Sequence, residues 1–596
     1  MNEIKNRLKA LRLEMLKQNL DAFYISGTDP HSNEYLPEKW KICEFLTGFT
    51  GSCGIVAITQ EDAGLWTDSR YFIQAEEQLK GSGVKMFKMG VTGAISPEKW
   101  LSEKLKPKSK VGFEPQALTV NGFRILHREL DTQEIVLVKT TGLLDKVWEN
   151  RPETPCSSVY DFPLKYAGVS RKEKWEQQAA ELKKTGACFN IISTLDELAW
   201  MFNLRGNAVN CSPVFTGYGV IGENEMLLFT NKSGIGPQLL AQLEKEKISV
   251  HEYGDFFAWL NETGATGGTK IFIDPSTLNY SVFEILEKNG NSFIEGASPV
   301  KLQKARKNTV ELNGFRSAMI KDGAAMVEFL YWIRQNIGKG NITEYTVGRK
   351  LDEIRSKQPG YDCESFPPIV GYKNHGAIVH LSVDANNALP LEPRGLLLID
   401  SGGQYKDGTT DITRTIALGE VTDQQKIDFT LVLKGMIALT AAVFPVGTKG
   451  CQLDILARKP LLEKGLNYGH GTGHGVGHFL NVHEGPVAIR PDFNPNPIEP
   501  GMVFSNEPAI YRSRLYGIRT ENMIVCVEKE ENEFGKFLCF ETLTLCPVDT
   551  SLIDFELLTP NEKEWLNTYH LRVKNELTHC LSKEHRLFLA EITKPV

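Results

Sequence analysis

The stretches LEPRGLLLID (residues 391–400) and IEPGMVFSNE (residues 498–507) decide the reading of the fold. Pro393 stands seven residues before Asp400, and Pro500 stands seven residues before Glu507, so one pattern is repeated at an offset of 107 residues. Each acid closes an apolar run of strand type. A turn-rich segment follows, GGQYKDGTT at 402–410 and RSRLYG at 512–517, and then a second strand bearing another acid, Asp411 in one copy and Glu521 in the other. Strand, turn and strand in this order read as a hairpin. Helical periodicity precedes each hairpin, at Asn308–Ile337 and Glu344–Lys357 in the first copy and at Asp423–Ala442 and Leu453–Lys464 in the second. The pattern implies a pseudo-symmetric domain of two helix–helix–hairpin halves, with an acidic pair on each half.

Partners on adjacent strands stand only about 4.5–5.5 Å apart at Cβ, so the four acids can converge across one face of the sheet. Without compensation the cluster would repel itself and take up protons. Two divalent cations would neutralise it. Oxygen-rich ligation with few nitrogens and little sulfur suits Mn²⁺, with Zn²⁺ and Co²⁺ as alternatives. The nitrogen ligand is expected from YGHGTGHGVGHFLNVHEGP (468–486), which packs His470, His474, His478 and His483 among alternating glycines. Those glycines forbid a stable helix and let backbone pass close to a site. GTGHGVG is not GxGxxG and no Rossmann-type unit surrounds it, so a nucleotide loop is set aside. Taken singly, Asp400, Asp411 or Glu507 would read as a turn or loop acid. The 107-residue echo and the histidine cluster together favour function; His375 and His478 read as structural or rim groups.

Further out, two segments of the first half repeat each other. A helical stripe of Ile4, Leu8, Leu11 and Met15 leads into the strand DAFYIS (21–26) and a strand pair within CGIVAITQEDAGLWTDSRYF (53–72). From Lys172 the order recurs as helix, the strand ACFNIIS (187–193) and a strand pair within VFTGYGVIGENEMLLF (214–229). Helix, strand and hairpin in one order indicate two related α/β domains. The stretch from Thr140 to Tyr166, which contains ENRPETP, reads as the linker. The expected domains are therefore 1–150, 151–305 and 306–596. The apolar run Phe429–Val446 is broken by Lys434 and Pro445 and reads as a buried helix rather than a membrane span. Charge interrupts every apolar run near the N-terminus, unlike a signal peptide. Eleven cysteines without CxxC spacing fit free thiols in a reducing compartment, so a cytoplasmic location is expected. A net charge of −7 spread over 596 residues argues against nucleic acid as a partner.

With these residues in view, the chain resembles the Xaa-Pro aminopeptidase (aminopeptidase P) family of "pita-bread" dinuclear metallopeptidases, in its long three-domain cytosolic form. The resemblance rests on HLSVDANNALPLEPRGLLLIDSGGQYKDGTTDITRTIALGE (380–420), GHGTGHGVGHFLNVHEGP (469–486), SNEPAIY (505–511) and GIRTENM (517–523). It extends to LWTDSRYF (65–72), LDELAWMFNLRGN (195–207) and PNEKEWLNTYH (560–570). It implies two creatinase-like N-terminal α/β domains followed by a pita-bread domain with a C-terminal extension. It also implies Asp400 as a ligand of one metal, Asp411 and Glu521 as bridging ligands, and His474 and Glu507 as ligands of the other. His380, His470 and His483 match substrate-side histidines of the family, and Arg70 matches an arginine of the N-terminal domain that reaches the substrate; His478 has no family role.

The activity so implied is release of the N-terminal residue from peptides with proline second, by attack of a metal-bridging hydroxide. Glu507 would shuttle a proton to the leaving nitrogen, His483 would stabilise the oxyanion and His380 would position substrate. A homodimer is also implied. Prolidase-type dipeptidases use the same five ligand types and are the first alternative. A catalytically inactive binding module of the same fold, or a metal-free amidinohydrolase of creatinase type, is disfavoured because all five ligand positions are filled.

Overall fold

Two sheets in the first half of the chain are the same sheet built twice. In the computed structural model, which describes residues 2–154, 156–262 and 268–596, the first sheet has six strands. From edge to edge they are Lys85–Lys88, Ala63–Thr67, Ile55–Thr59, Ala22–Ile25, Lys110–Phe113 and Val136–Lys139. The second runs Ile248–Glu252, Met226–Thr230, Gly217–Gly222, Phe189–Ile192, Lys270–Ile273 and Ser292–Glu295. In both, the central strand pairs antiparallel with a hairpin on one side and parallel with one strand on the other, and a further parallel strand is added at each edge. The sequence repeat is thus a repeat of strand order as well. Met1, Pro155 and residues 263–267 lie outside the described residues, and with Pro155 the end of ENRPETP.

The chain divides into two compact units, residues up to Pro163 with Val169–Lys301, and Leu164–Gly168 with Leu302–Val596. The first holds both six-stranded sheets. The stretch read as a linker carries short elements of its own: a helical turn at Leu143–Val147 and a strand, Val159–Asp161, paired with Leu204–Gly206. Short length and weak periodicity hid them, because a three-residue strand offers too few positions for alternation to show.

In the second unit the two strand pairs form, but the segments read as turns carry further strands, Gly403–Tyr405 with Gly408–Thr409 in the first copy and Ala509–Arg512 with Tyr516–Arg519 in the second. Leu396–Ser401 pairs antiparallel with Ile412–Ala417, placing Asp400 opposite Thr413, and Val503–Asn506 pairs with Asn522–Asn532, placing Asn506 opposite Asn522. Each hairpin is backed by helices. Thr309–Asn336 begins at Asn308, whose side chain accepts from the backbone N–H groups of Val310 and Glu311 while Glu311 reaches back to the Asn308 N–H, a capping box. Glu344–Arg355, Asp423–Thr440 and Gly450–Leu462 complete the set. The apolar run read as one helix to Val446 instead ends at Thr440, and Val443–Pro445 turns into an edge strand on Gly535–Thr542. Pro445 has no N–H to donate, which an edge strand tolerates and a helix interior does not.

The helix Pro560–Leu577 packs against this core through Leu566, Tyr569, Val573 and Leu577. Its His570 is buried and accepts a hydrogen bond from the Val548 N–H through Nε2 at 3.1 Å. Burial, reinforced by the nearby Arg414 cation, pulls its pKa down to about 4. The folded chain therefore keeps this ring neutral, whereas the unfolded chain protonates it near pH 6.5. Its contribution is intact above pH 6.5 and lost as pH falls towards 4, by about 3 kcal/mol at most. The melting temperature of His570→Gln should accordingly fall less than that of the parent between pH 7.5 and 5. Equal falls in the two proteins would contradict this placement.

Candidate metal centre

The four acids close the two hairpins at the same end. Asp400, Asp411 and Glu521 are buried, and the glycines around His474 explain how the imidazole joins them. His474 lies in the short strand Gly473–Gly475, which pairs with Val503–Asn506 on one side and Glu484–Ile489 on the other. A Cβ at Gly473 would stand 1.9 Å from the Ser505 carbonyl oxygen, and one at Gly475 would stand 2.2 Å from that of Glu484. Only residues without a side chain let three strands close so tightly around one histidine.

Ligand atoms of Asp411, His474 and Glu521 lie within 4.8 Å of one another. His474 Nε2 is 3.4 Å from Asp411 Oδ2 and 3.6 Å from Glu507 Oε1. His474 Nδ1–H donates to the Gly475 carbonyl at 2.9 Å, which aims Nε2 at the acids. Ser505 links the two sides, accepting from the His474 N–H at 2.9 Å and donating to Glu507 Oε1 at 3.2 Å. Thr413 Oγ1 donates to Glu521 Oε2 at 2.7 Å, and Arg519 Nη2 donates to Asp400 Oδ2 at 2.5 Å. The remaining oxygens, Asp400 Oδ1 and Glu521 Oε1, are buried without a hydrogen-bond partner.

The electrostatics are those of an uncompensated anionic cavity. Burial raises the Glu507 carboxyl to about 7, with the Asp411 and Asp400 charges adding to the effect and His474 and Arg519 opposing it. Burial and then Asp411, Asp400 and Glu507 push Glu521 far above the carboxylate range, and Asp400 is raised by burial against the pull of Arg519. For His474, burial works to lower the pKa, but the hydrogen bond to Asp411 and the charge of Glu507 win and raise it to about 9. The protein alone answers the excess of negative charge by holding protons. A divalent cation answers it better. Two unpartnered buried oxygens, an oxygen-rich donor set and one oriented imidazole nitrogen fit such an ion.

The other sequence-singled histidines fall into two groups. His483 and His380 gather beside the cluster, with the His483 ring 4.3 Å from that of His474 and 6.5 Å from that of His380. His470 Nδ1–H donates to the Gly471 carbonyl, and its Nε2 accepts from Tyr511, whose hydroxyl accepts in turn from Arg519 Nη1 at 2.5 Å. His375 and His478 are engaged elsewhere: His375 Nδ1 lies 2.9 Å from the buried Glu344, and His478 Nε2–H donates to the Asp407 carbonyl at 2.9 Å. Arg70 belongs to the first unit, where Asp68 chelates it at 2.8–2.9 Å and Glu34 lies 3.2 Å away. Arg519, Tyr511, Ser505 and Thr413 escaped the sequence reading. Their signal was faint: Arg519 and Tyr511 sit inside the quoted motifs, two residues before Glu521 and four after Glu507.

Comparison with known proteins matches this architecture. The model of metallopeptidase family M24 covers residues 313–528, and that of its C-terminal region covers 536–596. The creatinase/prolidase N-terminal domain matches twice, over residues 7–147 and 150–311. Aminopeptidase P1 of Lotus japonicus is 36% identical over the full length of both chains. Xaa-Pro aminopeptidase ApepP of Drosophila melanogaster is 37% identical over 98% of this chain and 96% of its own. The X-prolyl aminopeptidase of Caenorhabditis elegans, described as a cytosolic enzyme with a di-nuclear active site, superposes with a TM-score of 0.92 at 33% identity, over 97% of this chain and 95% of its own. The fold and the acidic centre thus define an M24-type metallopeptidase. Within that class, the chain belongs to the aminopeptidase P (Xaa-Pro aminopeptidase) family.

If the cluster is built for cations, neutralising one member should both lose metal and relieve strain. Elemental analysis of Glu521→Gln should find less bound metal than in the parent. Stripped of metal at pH 8, the same variant should melt higher than the stripped parent by about 2–4 °C, the shift expected for about 1 kcal/mol in a large domain. A variant that binds metal normally would overturn this assignment.

Proposed function

We propose that the chain is a metal-dependent aminopeptidase that releases the N-terminal residue from peptides with proline at the second position. The observation that carries this reading is the buried convergence of Asp411, His474 and Glu521, with Asp400 and Glu507 beside them, in a chain alike along its whole length to Xaa-Pro aminopeptidases. Asp400, Asp411, His474, Glu507 and Glu521 would hold two divalent ions, most simply Mn²⁺, with Zn²⁺ or Co²⁺ as alternatives. Such a pair supplies an acidified water and a polarised scissile carbonyl.

The chain's own residues supply the rest. Glu507, whose carboxylate lies 3.6 Å from His474 at the edge of the cluster, would take a proton on the nucleophile side and deliver it to the departing proline nitrogen. His483, beside His474, would donate a hydrogen bond to the tetrahedral oxyanion. His380 would orient the substrate, and His470, held by Tyr511, would line the substrate side. Arg70, a partly exposed cation in the first unit, is proposed to meet the peptide. Domain limits of 1–150, 151–305 and 306–596 form part of the same reading, in line with the family matches over 7–147 and 150–311, as do a homodimer and a cytoplasmic location, the last supported by likeness to the cytosolic C. elegans enzyme. Among the described residues no helix is long and apolar enough to cross a membrane.

Proline specificity follows from the bond. An Xaa-Pro bond has no N–H and fixes φ near about −65°, so a site for it omits one acceptor and fits a bent backbone. Arg-Pro-Pro should be hydrolysed in the presence of Mn²⁺, and Arg-Ala-Pro far more slowly as judged by kcat/KM. Ratios within a factor of about three, roughly 0.65 kcal/mol, would make the protein a general aminopeptidase. Cleavage of Arg-Pro but not Arg-Pro-Pro would instead support the dipeptidase alternative.

His483→Ala should keep its metals and melting temperature while kcat drops by roughly 10²–10³, the cost of one oxyanion donor. An unchanged kcat would remove His483 from the chemistry.

A further inference from the structure

Away from the ligand cluster, the second unit buries another concentration of charge. Glu484 accepts a hydrogen bond from Lys304 Nζ through Oε2 at 2.6 Å and one from Lys307 Nζ through Oε1, and all three side chains are 1% exposed. Two cations on one carboxylate in the interior are a poor source of stability, because the desolvation of three ions offsets much of their attraction. Shape rather than energy is what such a group can fix.

The location of Glu484 gives that shape a use. It follows His483 directly and opens the strand Glu484–Ile489, which pairs with the His474 strand: Gly475 faces Glu484 and His474 faces Ala488, with a slip of register between. The intervening loop is tied on its other flank to the first hairpin. Gln404 Nε2 donates to the Leu480 carbonyl at 2.7 Å, and His478 donates to the Asp407 carbonyl. The lysines come from the segment that leads into helix Thr309–Asn336. That segment is stapled to the root of the Glu507 strand, through the Lys307 N–H on the Gly501 carbonyl at 3.0 Å and a bridge between Arg306 and Met502.

We propose that Lys304 and Lys307, acting through Glu484, are positioning residues that fix the His483 imidazole relative to His474 and His380. The inference rests on the reading of His483 as the oxyanion donor for peptide substrates. Lys304 and Lys307 hold the carboxylate from two directions, so Glu484 cannot swing. With Glu484 held at its carboxylate by the lysines and at its backbone by pairing with Gly475, the His483 ring is left little beyond its own side-chain torsions. A preorganised donor is worth more than a mobile one because its orientation costs nothing at the transition state.

The test is a double-mutant cycle in the full-length metal-loaded enzyme, with Arg-Pro-Pro as substrate and Glu484→Gln, His483→Ala and the double variant compared. Glu484→Gln should keep its metal content and its KM within about twofold while kcat falls about 10- to 100-fold, a part of the loss on deleting the donor itself. In the His483→Ala background the same change should cost less than about twofold, because a clamp on an absent ring has nothing to hold. ¹⁵N-histidine spectra of the Zn²⁺-loaded protein, with the His483 signals assigned through His483→Ala, should show those signals shifted in Glu484→Gln. If Glu484→Gln yields no folded protein, Lys307→Met, which leaves one cation on the carboxylate, takes its place in both measurements. Unshifted His483 signals, or a kcat loss undiminished without His483, would overturn the clamp. Shifted signals together with a kcat that His483→Ala leaves unchanged would uphold the clamp and remove the oxyanion role instead.

Discussion

Four carboxylates in one buried cavity, with a single imidazole and one guanidinium against them, are the constraint to which the second unit answers. A carboxylate taken out of water either finds positive charge or takes up a proton, and here burial raises Asp400, Glu507 and Glu521 together. The surrounding groups are arranged to hold the acids where they are rather than to neutralise them. Thr413 takes one oxygen of Glu521, Arg519 takes one of Asp400, and one oxygen of each is left bare. A structure selected for stability alone would have satisfied those oxygens, since a buried polar atom without a partner costs about 1–3 kcal/mol. The cost is explicable in a site whose binding energy arrives with a cation.

The pseudo-symmetry follows from the same demand. A hairpin delivers two acids at one end of a strand pair, and two hairpins brought end to end deliver four. Backbone contact keeps the halves in step: the Glu521 N–H donates to the Thr413 carbonyl at 3.1 Å, and Thr415 Oγ1 donates to the Arg519 carbonyl at 2.9 Å. The third contribution, His474, comes from outside both hairpins. It requires glycine on either side, because strands on both flanks approach closer than any Cβ allows.

What could be read in the sequence was what repeats. The 107-residue echo exposed the hairpins, and the recurrence of helix, strand and strand pair exposed the two sheets of the first unit, because a repeated pattern multiplies weak local signals. The boundaries that misled were places where tertiary context overrides local preference. At Thr440 the chain leaves the helix while the apolar run goes on, and the mark that the sequence carries, Pro445, comes only after the helix has ended. Hidden for a different reason were Arg519, Tyr511, Thr413 and Ser505. Arg519, Thr413 and Ser505 act on the ligands through hydrogen bonds, and Tyr511 acts on Arg519 and His470; a side chain's partner across the fold has no sequence periodicity.

The C-terminal extension illustrates how such cross-fold bonds give a remote segment a part in the centre. Arg414 lies three residues beyond Asp411 and is buried, so each of its donors needs an acceptor. It finds them on both sides. Its guanidinium donates to the carbonyls of Thr413 and Glu521 and to Asn522 Oδ1 in the ligand-bearing strands, and to the carbonyls of Cys546 and Pro547 in the tail. Tyr569, on the helix Pro560–Leu577, completes the set with its hydroxyl oxygen, and that hydroxyl also accepts from the Cys546 N–H. One cation with rigid, planar donors thus joins the strand after Asp411, the residue Glu521 and the tail in one network. Removing the tail would strip acceptors from a buried cation whose other donors hold the Glu521 backbone. The tail therefore belongs to the physical definition of the metal centre although none of its residues faces it.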